Sequence, residues 1–162
     1  MSDRHSMVCR AGWAFNALKS VLGWPEMVCS GWGSVKFNVG AVVAGNNGTA
    51  GISGILRDHK GASLVIFSKS AGLADPTLAE VLAIKVALTI YSACRWSGTH
   101  KLLVESDCVV VVSWYKSSWN APSCVRSIIQ LCFGICRGQS WDIIEIPNGT
   151  TDRLAKAGIN RQ

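Results

Sequence analysis

Two short turns within a β-rich stretch constrain the fold of this chain most strongly. The segments VKFNVGAVV (35–43), TAGISGILRD (49–58) and ASLVIFSKS (62–70) contain many β-branched and aromatic residues, which favour strands. The connections GNNG (45–48) and DHKG (58–61) are typical of tight hairpin turns. Because turns this short join antiparallel neighbours, the sequence predicts a three-stranded antiparallel meander.

The hydrophobic period then changes from that of a strand to that of a helix. Asp75 is a suitable N-cap and Pro76 a suitable first residue for a helix that runs to about Arg95. The valines of DCVVVVSWYK (107–116) favour a strand by propensity, so a helix there depends on context.

The rest of the chain continues in alternating strand and helix patterns. KLLVES (101–106) and WDIIEIP (141–147) predict strands, and SCVRSIIQLCFGIC (123–136) and TDRLAKAG (151–158) predict helices. The resulting order β-β-β-α-β-α-α-β-α predicts an α/β fold, with a mixed sheet and helices packed on its faces. We expect residues 1–33 to form an appendage or linker and residues 34–160 to form the domain.

Composition narrows the classes of function. The seven cysteines include no C-x-x-C pair and the three histidines lie far apart, so zinc-ligand spacing is absent. Reduced buried thiols and a reducing compartment are expected. The net charge of +6 favours a polyanionic partner, but the basic residues form no run and a generic basic protein explains the charge equally well.

Location and assembly are predicted only in outline. The N-terminal stretch has Asp3 early and no uninterrupted apolar core, so a secretory signal is not expected. The apolar runs are too short to span a bilayer, so we expect a soluble intracellular protein without a membrane association. We also expect a monomer. Nucleus and cytoplasm are not distinguished. The tryptophans at positions 96, 114, 119 and 141 are expected to fill the core rather than stack on bases.

Three acidic residues lie where carboxylates are chemically suggestive. Glu80 lies one turn into the first long helix, Asp107 follows the strand 101–106, and Asp152 opens the last helix. Each has an ordinary alternative, since Asp107 and Asp152 suit helix caps and Glu80 suits a solvated helix surface. Together, in this order of elements, they favour a site for magnesium or manganese, because clustered carboxylates bind such ions.

The chain resembles the ribonuclease H-like superfamily, and within it the plant reverse transcriptase-like domains related to those of retroelements. The resemblance spans 32–158 and rests on VKFNV, GISGILRDHKG, SKSAGLADPTLAEVLAIKVAL, LLVESD and DRLAKAG. It implies a five-stranded mixed sheet, with three antiparallel strands followed by two parallel ones. It also implies four carboxylates that hold two Mg²⁺ ions and cut the RNA strand of an RNA–DNA hybrid, of which Glu80, Asp107 and Asp152 match the second, third and fourth.

The first of those four carboxylates is missing. The family motif F-N-V-D-G-A reads FNVGA here, so Gly40 directly follows Val39, as if the aspartate had been deleted. Asn38 offers a neutral carbonyl oxygen as a weak substitute ligand, without the charge that offsets two dications. A one-residue slip would turn the following side chains to the other face unless a bulge at Gly40 absorbs it. The last loop, IPNGTTD (146–152), also looks three residues shorter than the family pattern and lacks its arginine.

Two hypotheses from different classes follow from this pattern. The first is a magnesium-dependent ribonuclease H with weakened or lost cleavage, acting on RNA–DNA hybrids through Glu80, Asp107 and Asp152. The second is a nucleic-acid-binding module or retroelement relic that keeps the fold without the chemistry, and the residues favour it. A thiol-based enzyme is excluded by the absence of a Cys–His arrangement of any recognised spacing.

Overall fold

The computed structural model describes residues 33–45, 48–146 and 150–159, and for 150–153 it describes the backbone alone. Within these residues it contains a single five-stranded sheet, four α-helices and a short 3₁₀ helix. The strands are β1 Ser34–Val43, β2 Thr49–Arg57, β3 Ser63–Leu73, β4 Lys101–Ser106 and β5 Trp141–Glu145. The α-helices are α1 Pro76–Ala93, α2 Val109–Lys116, α3 Ser123–Ile135 and α4 Thr150–Ile159, and the 3₁₀ helix is Ser118–Asn120. Of the predicted appendage, only Gly33 is among the described residues.

The sheet has the strand order β3-β2-β1-β4-β5. The pairs β1–β2 and β2–β3 are antiparallel, whereas β1–β4 and β4–β5 are parallel. This topology confirms the predicted mixed sheet and the predicted order of elements. It also places β1 at the centre of the sheet, between the meander and the parallel strands.

The two faces of the sheet are covered by different helices. Val35, Phe37 and Val39 alternate along β1 and are at most 1% exposed. They share the face of Ser106, whose hydroxyl approaches Glu80 of α1, so we call this the α1 face. The opposite face, which carries Gly51 and the Ser68 hydroxyl that donates to a carbonyl of α4, is the α4 face.

Helix α1 is the central helix of the core. Asp75 is its N-cap, accepting the N–H of Leu78 at 3.0 Å, and Pro76 occupies the first turn, as the sequence predicts. By length and composition alone this 18-residue helix would also pass as a membrane span. Eight of its residues are buried, however, and the core helix of a soluble protein passes the same test.

Helix α4 lies against the sheet through two glycines. A Cβ on Gly51 would come within 2.0 Å of the carbonyl oxygen of Ala155, and one on Gly158 within 2.7 Å of the carbonyl oxygen of Lys69. The backbones approach this closely only because neither residue has a side chain. The two glycines therefore set the distance of α4 from the sheet.

Three local features differ from the simplest expectation. The valine-rich segment forms α2, with Val111 and Val112 buried, so packing overrides strand propensity there. Trp96 is buried as expected, but Trp119 in the 3₁₀ helix is 82% exposed, so its assignment to the core was wrong. Strand β1 contains no bulge at Gly40, since its pairing with β2 runs without a register shift from Lys36 to Val43.

Candidate functional site

Strand β1 extends beyond the end of its parallel neighbour. It pairs with β4 only as far as Asn38, opposite Glu105, and continues to Val43. The backbone groups of β1 that face β4 therefore lose their partners after this point and need others. The site begins at this open corner of the sheet, at the carboxyl end of β4.

Glu80 fills part of that corner. Its side chain is 7% exposed, and its Oε1 accepts the backbone N–H of Ala41 at 2.8 Å. Its Oε2 lies 3.5 Å from the hydroxyl of Ser106, the last residue of β4. The carboxylate thus links α1 to the central strand and to the end of β4, and the alternative of a solvated helix residue is wrong.

Asp107 directly follows β4, at the sheet edge that the sequence predicts. It is exposed and does not cap α2, because the N-cap residue is Cys108. The hydroxyl of Ser106 accepts the N–H of Cys108 at 3.2 Å and so orders the turn that carries Asp107. Burial raises the pKa of the Cys108 thiol, and the nearby charges of Glu80 and Asp107 raise it further, so the thiol stays protonated.

By the motif resemblance, Gly40 occupies the position of β1 where the first aspartate is expected. Side chains alternate along a strand, so position 40 shares the α4 face with Asn38, two residues before it. Gly40 directly precedes Ala41, whose N–H donates to Glu80, and no bulge separates the two residues in β1. A carboxylate at position 40 would lie at this corner. Asn38, the predicted weak substitute, is half-buried and lies beside Glu105 on the α4 face.

The fourth predicted ligand, Asp152, is the third residue of α4. Its side chain is not described, and neither are residues 147–149 of the shortened loop, so their predicted roles stay predictions. Among the side chains that the structure describes, no group of three or more His, Cys, Asp or Glu is placed to hold a metal ion. Of the four carboxylates that the resemblance implies, the described side chains therefore include two, Glu80 and Asp107.

Sequence reasoning missed the contribution of Ser106. The segment LLVESD was predicted as a strand followed by the candidate acid Asp107. Ser106, the last residue of that strand, contacts Glu80 and accepts the N–H of Cys108. The signal was available, because a serine at a strand end before a helix is a common local hydrogen-bonding residue.

A family model described as "Reverse transcriptase-like" matches residues 38–134, which is more than half of the chain. This chain belongs to the reverse transcriptase-like family. The matched region of this ribonuclease H-like domain includes Glu80 and Asp107 and ends before α4, so it does not extend to Asp152.

Individual relatives agree with this family. A protein of Arabidopsis thaliana named "Putative ribonuclease H protein" is 30% identical over 117 residues, which are 72% of this chain and 18% of that protein. The chain thus spans under a fifth of the length of this relative.

Solved structures agree with the fold. Ribonuclease H1 of Halobacterium salinarum has a TM-score of 0.71 at 20% identity, with 79% of this chain and 98% of that chain covered. The compost-derived LC11 ribonuclease H1, solved with an RNA/DNA hybrid, has a TM-score of 0.71 at 19% identity, with 78% and 97% covered. These likenesses show the five-stranded ribonuclease H fold.

Proposed function

We propose that this reverse transcriptase-like domain binds RNA–DNA hybrid at the carboxyl end of β4 and has lost efficient hybrid cleavage. The observation that supports the proposal is the regular strand β1, which carries Gly40 at the position where the motif resemblance expects the first aspartate. No acid lies in β1 or β2. The negative charge needed to offset two closely spaced dications is therefore reduced by one at the centre of the site.

The role of Glu80 supports the same proposal. Its two oxygens contact the N–H of Ala41 and the hydroxyl of Ser106 within the protein. A buried carboxylate with such contacts stabilises the corner of the sheet whether or not a metal ion is bound. Glu80 therefore has a role in the fold that does not depend on catalysis.

The family and a structural neighbour support RNA–DNA hybrid as the ligand. LC11 ribonuclease H1 has been solved with an RNA/DNA hybrid and shares the fold of this chain. A net charge of +6 favours association with a polyanion. An RNA ligand without DNA is the alternative within the same class.

A binding measurement in EDTA tests this proposal apart from cleavage. We expect fluorescently labelled RNA–DNA hybrid to bind more tightly than DNA duplex of the same sequence, with affinity falling as salt rises. Asp107→Lys, which adds positive charge at an exposed position beside Glu80, should tighten binding to the hybrid. The same change in charge at Asp142→Lys, an exposed position near the start of β5 and away from Glu80, should leave the preference for hybrid over duplex unchanged. Equal affinity for hybrid and duplex, or no response to Asp107→Lys, would overturn hybrid binding at this end of the sheet.

A further inference from the structure

Helix α1 runs between the two ends of the sheet, which differ in charge. Near its start, Glu80 reaches Ser106 at the carboxyl end of β4. Near the C-terminus of α1, the Tyr91 hydroxyl donates to the carbonyl oxygen of His100, just before β4 begins. The helix therefore runs from the carboxyl end of β4 to its amino end, and charged residues can be assigned to one end or the other.

Acidic residues gather at the carboxyl end. Asp75 caps α1 there, Glu80 and Asp107 surround the end of β4, and Glu145 ends β5. The function proposed above uses this end of the sheet.

Basic residues gather at the opposite, amino end. Arg57 ends β2, Lys60 lies in the turn before β3, and Lys36 lies near the start of β1. We define the amino-end basic surface as these three residues with Lys101, which begins β4, and the residues that precede β4 and β5, Arg95 and Arg137. Three described acids lie beside this surface, Asp58, Asp142 and Glu105, of which Glu105 pairs with Lys36. Oδ1 of Asp58 already accepts the N–H groups of Lys60 and Ala62.

Three of these cations share one face of the sheet. Lys36 stands directly opposite Arg57, and Lys101 pairs with Ser34, two residues before Lys36. Like charges placed directly opposite each other destabilise a sheet. Glu105 offsets Lys36 at 3.1 Å, but Arg57 donates to neutral oxygens, the carbonyl of Gly61 and the hydroxyl of Ser63, both at 3.2 Å.

We propose that the amino-end basic surface is a second site, which binds the phosphate backbone of nucleic acid without reading sequence. Neighbouring strands lie about 4.8 Å apart, so Lys101, Lys36 and Arg57 spread positive charge over roughly 10 Å. A nucleic-acid strand presents one phosphate per about 3.4 Å of helix axis, so a surface of this width can meet several phosphates. The surface lies at the end of the sheet away from Gly40 and Asp107.

The surroundings favour nucleic acid over an anionic membrane. Surface binding to a membrane combines basic residues with apolar side chains that enter the interface. Among the described residues, the exposed large apolar side chains are spread over β3, α2, the 3₁₀ helix and α3, and Ile66 of β3 shares the sheet face of Lys36 and Arg57. The surface therefore offers mainly charge, with little apolar area that could enter a membrane interface.

Charge reversal with a matched control tests this second site. Lys60→Glu/Lys101→Glu changes two exposed lysines of the surface, and Lys69→Glu/Lys116→Glu changes two exposed lysines outside it, with the same change in net charge. Binding to a DNA duplex is measured in EDTA over a range of salt concentrations. We expect the first pair to weaken binding about tenfold at low salt and to reduce the salt slope by about one to two units, at roughly 0.9 per phosphate contact. We expect the control pair to weaken binding less than twofold.

Three outcomes would overturn the second site: equal effects of the two pairs, no measurable binding to the duplex by the original chain, or binding to vesicles of phosphatidylcholine and phosphatidylserine in place of the duplex. Failure of the proposed function gives a different result, since it removes the preference for hybrid over duplex and leaves the difference between the two lysine pairs unchanged.

Discussion

The backbone N–H of Ala41 donates a 2.8 Å hydrogen bond to Oε1 of Glu80. This bond joins the first long helix to the central strand at the point where β1 runs past the end of β4. The bond lies one residue after Gly40, so Glu80 contacts the strand in which the motif resemblance expects the first aspartate.

Replacement of Glu80 separates its structural role from any catalytic one. Glu80→Ala leaves the part-buried N–H of Ala41 without its acceptor, and we expect the free energy of unfolding to fall by about 1–3 kcal/mol. Glu80→Gln keeps an acceptor oxygen and should lose less than half as much. Urea denaturation of both variants checks this, and equal stability of Glu80→Ala and the original chain would contradict it.

The close approach of α4 to the sheet predicts a strong effect at Gly51. Gly51→Ala places a Cβ about where the carbonyl oxygen of Ala155 lies, so α4 must move, and we expect destabilisation of about 1–3 kcal/mol. Gly134→Ala is the control, because it lies in α3 with open space around it and should stabilise the protein by roughly 0.5–1 kcal/mol. Thermal unfolding measures both, and a neutral Gly51→Ala would show that α4 packs differently.

The cap of α1 predicts a dependence of stability on pH. Hydrogen bonds from the Thr77 hydroxyl and the Leu78 N–H hold the pKa of Asp75 below its usual value of 3.8. Because the folded pKa is depressed, this stability is fully present above pH 3.8 and is lost as pH falls through the folded pKa.

Asp75→Asn keeps a cap and should remove this part of the acid dependence, whereas Asp75→Ala should cost about 1 kcal/mol at neutral pH. Unfolding free energies measured from pH 2 to 7 distinguish the two. An acid dependence that is identical in Asp75→Asn and the original chain would refute the assignment.

Most of the fold follows from local patterns in the sequence. The turns at 45–48 and 58–61 predict the meander, and the cap pair Asp75 and Pro76 predicts the start of α1. These features depend on neighbours in the chain, which a single sequence displays directly. Helix α2 was not predictable from local propensity, because its valines favour a strand. Burial of Val111 and Val112 against the rest of the domain stabilises the helix instead.

The positions of Glu80 and Asp107 near the carboxyl end of β4 were predictable, whereas their contacts were not, and the roles of Glu80, Asp107 and Asp152 as metal ligands stay predictions. Buried Glu80 and the strand-end position of Asp107 follow from helical and strand periodicity. The bond from Ala41 to Glu80 depends on β4 ending before β1 does, which is a property of strand register across the sheet. Trp119 shows the same limit, since its exposure depends on the 3₁₀ turn that projects it from the surface.

The central claim is that Gly40 has replaced the residue on which hybrid cleavage depends. The most direct measurement is cleavage of a labelled RNA–DNA hybrid in Mg²⁺ or Mn²⁺ by the original chain, Gly40→Asp, the neutral control Gly40→Asn, and Asp107→Asn. Because β1 is regular, a substitution at position 40 introduces the carboxylate without shifting the strand register. An insertion would shift it. We expect the original chain to cleave no faster than Asp107→Asn, and Gly40→Asp alone to gain activity. Cleavage by the original chain that Asp107→Asn abolishes would contradict the claim.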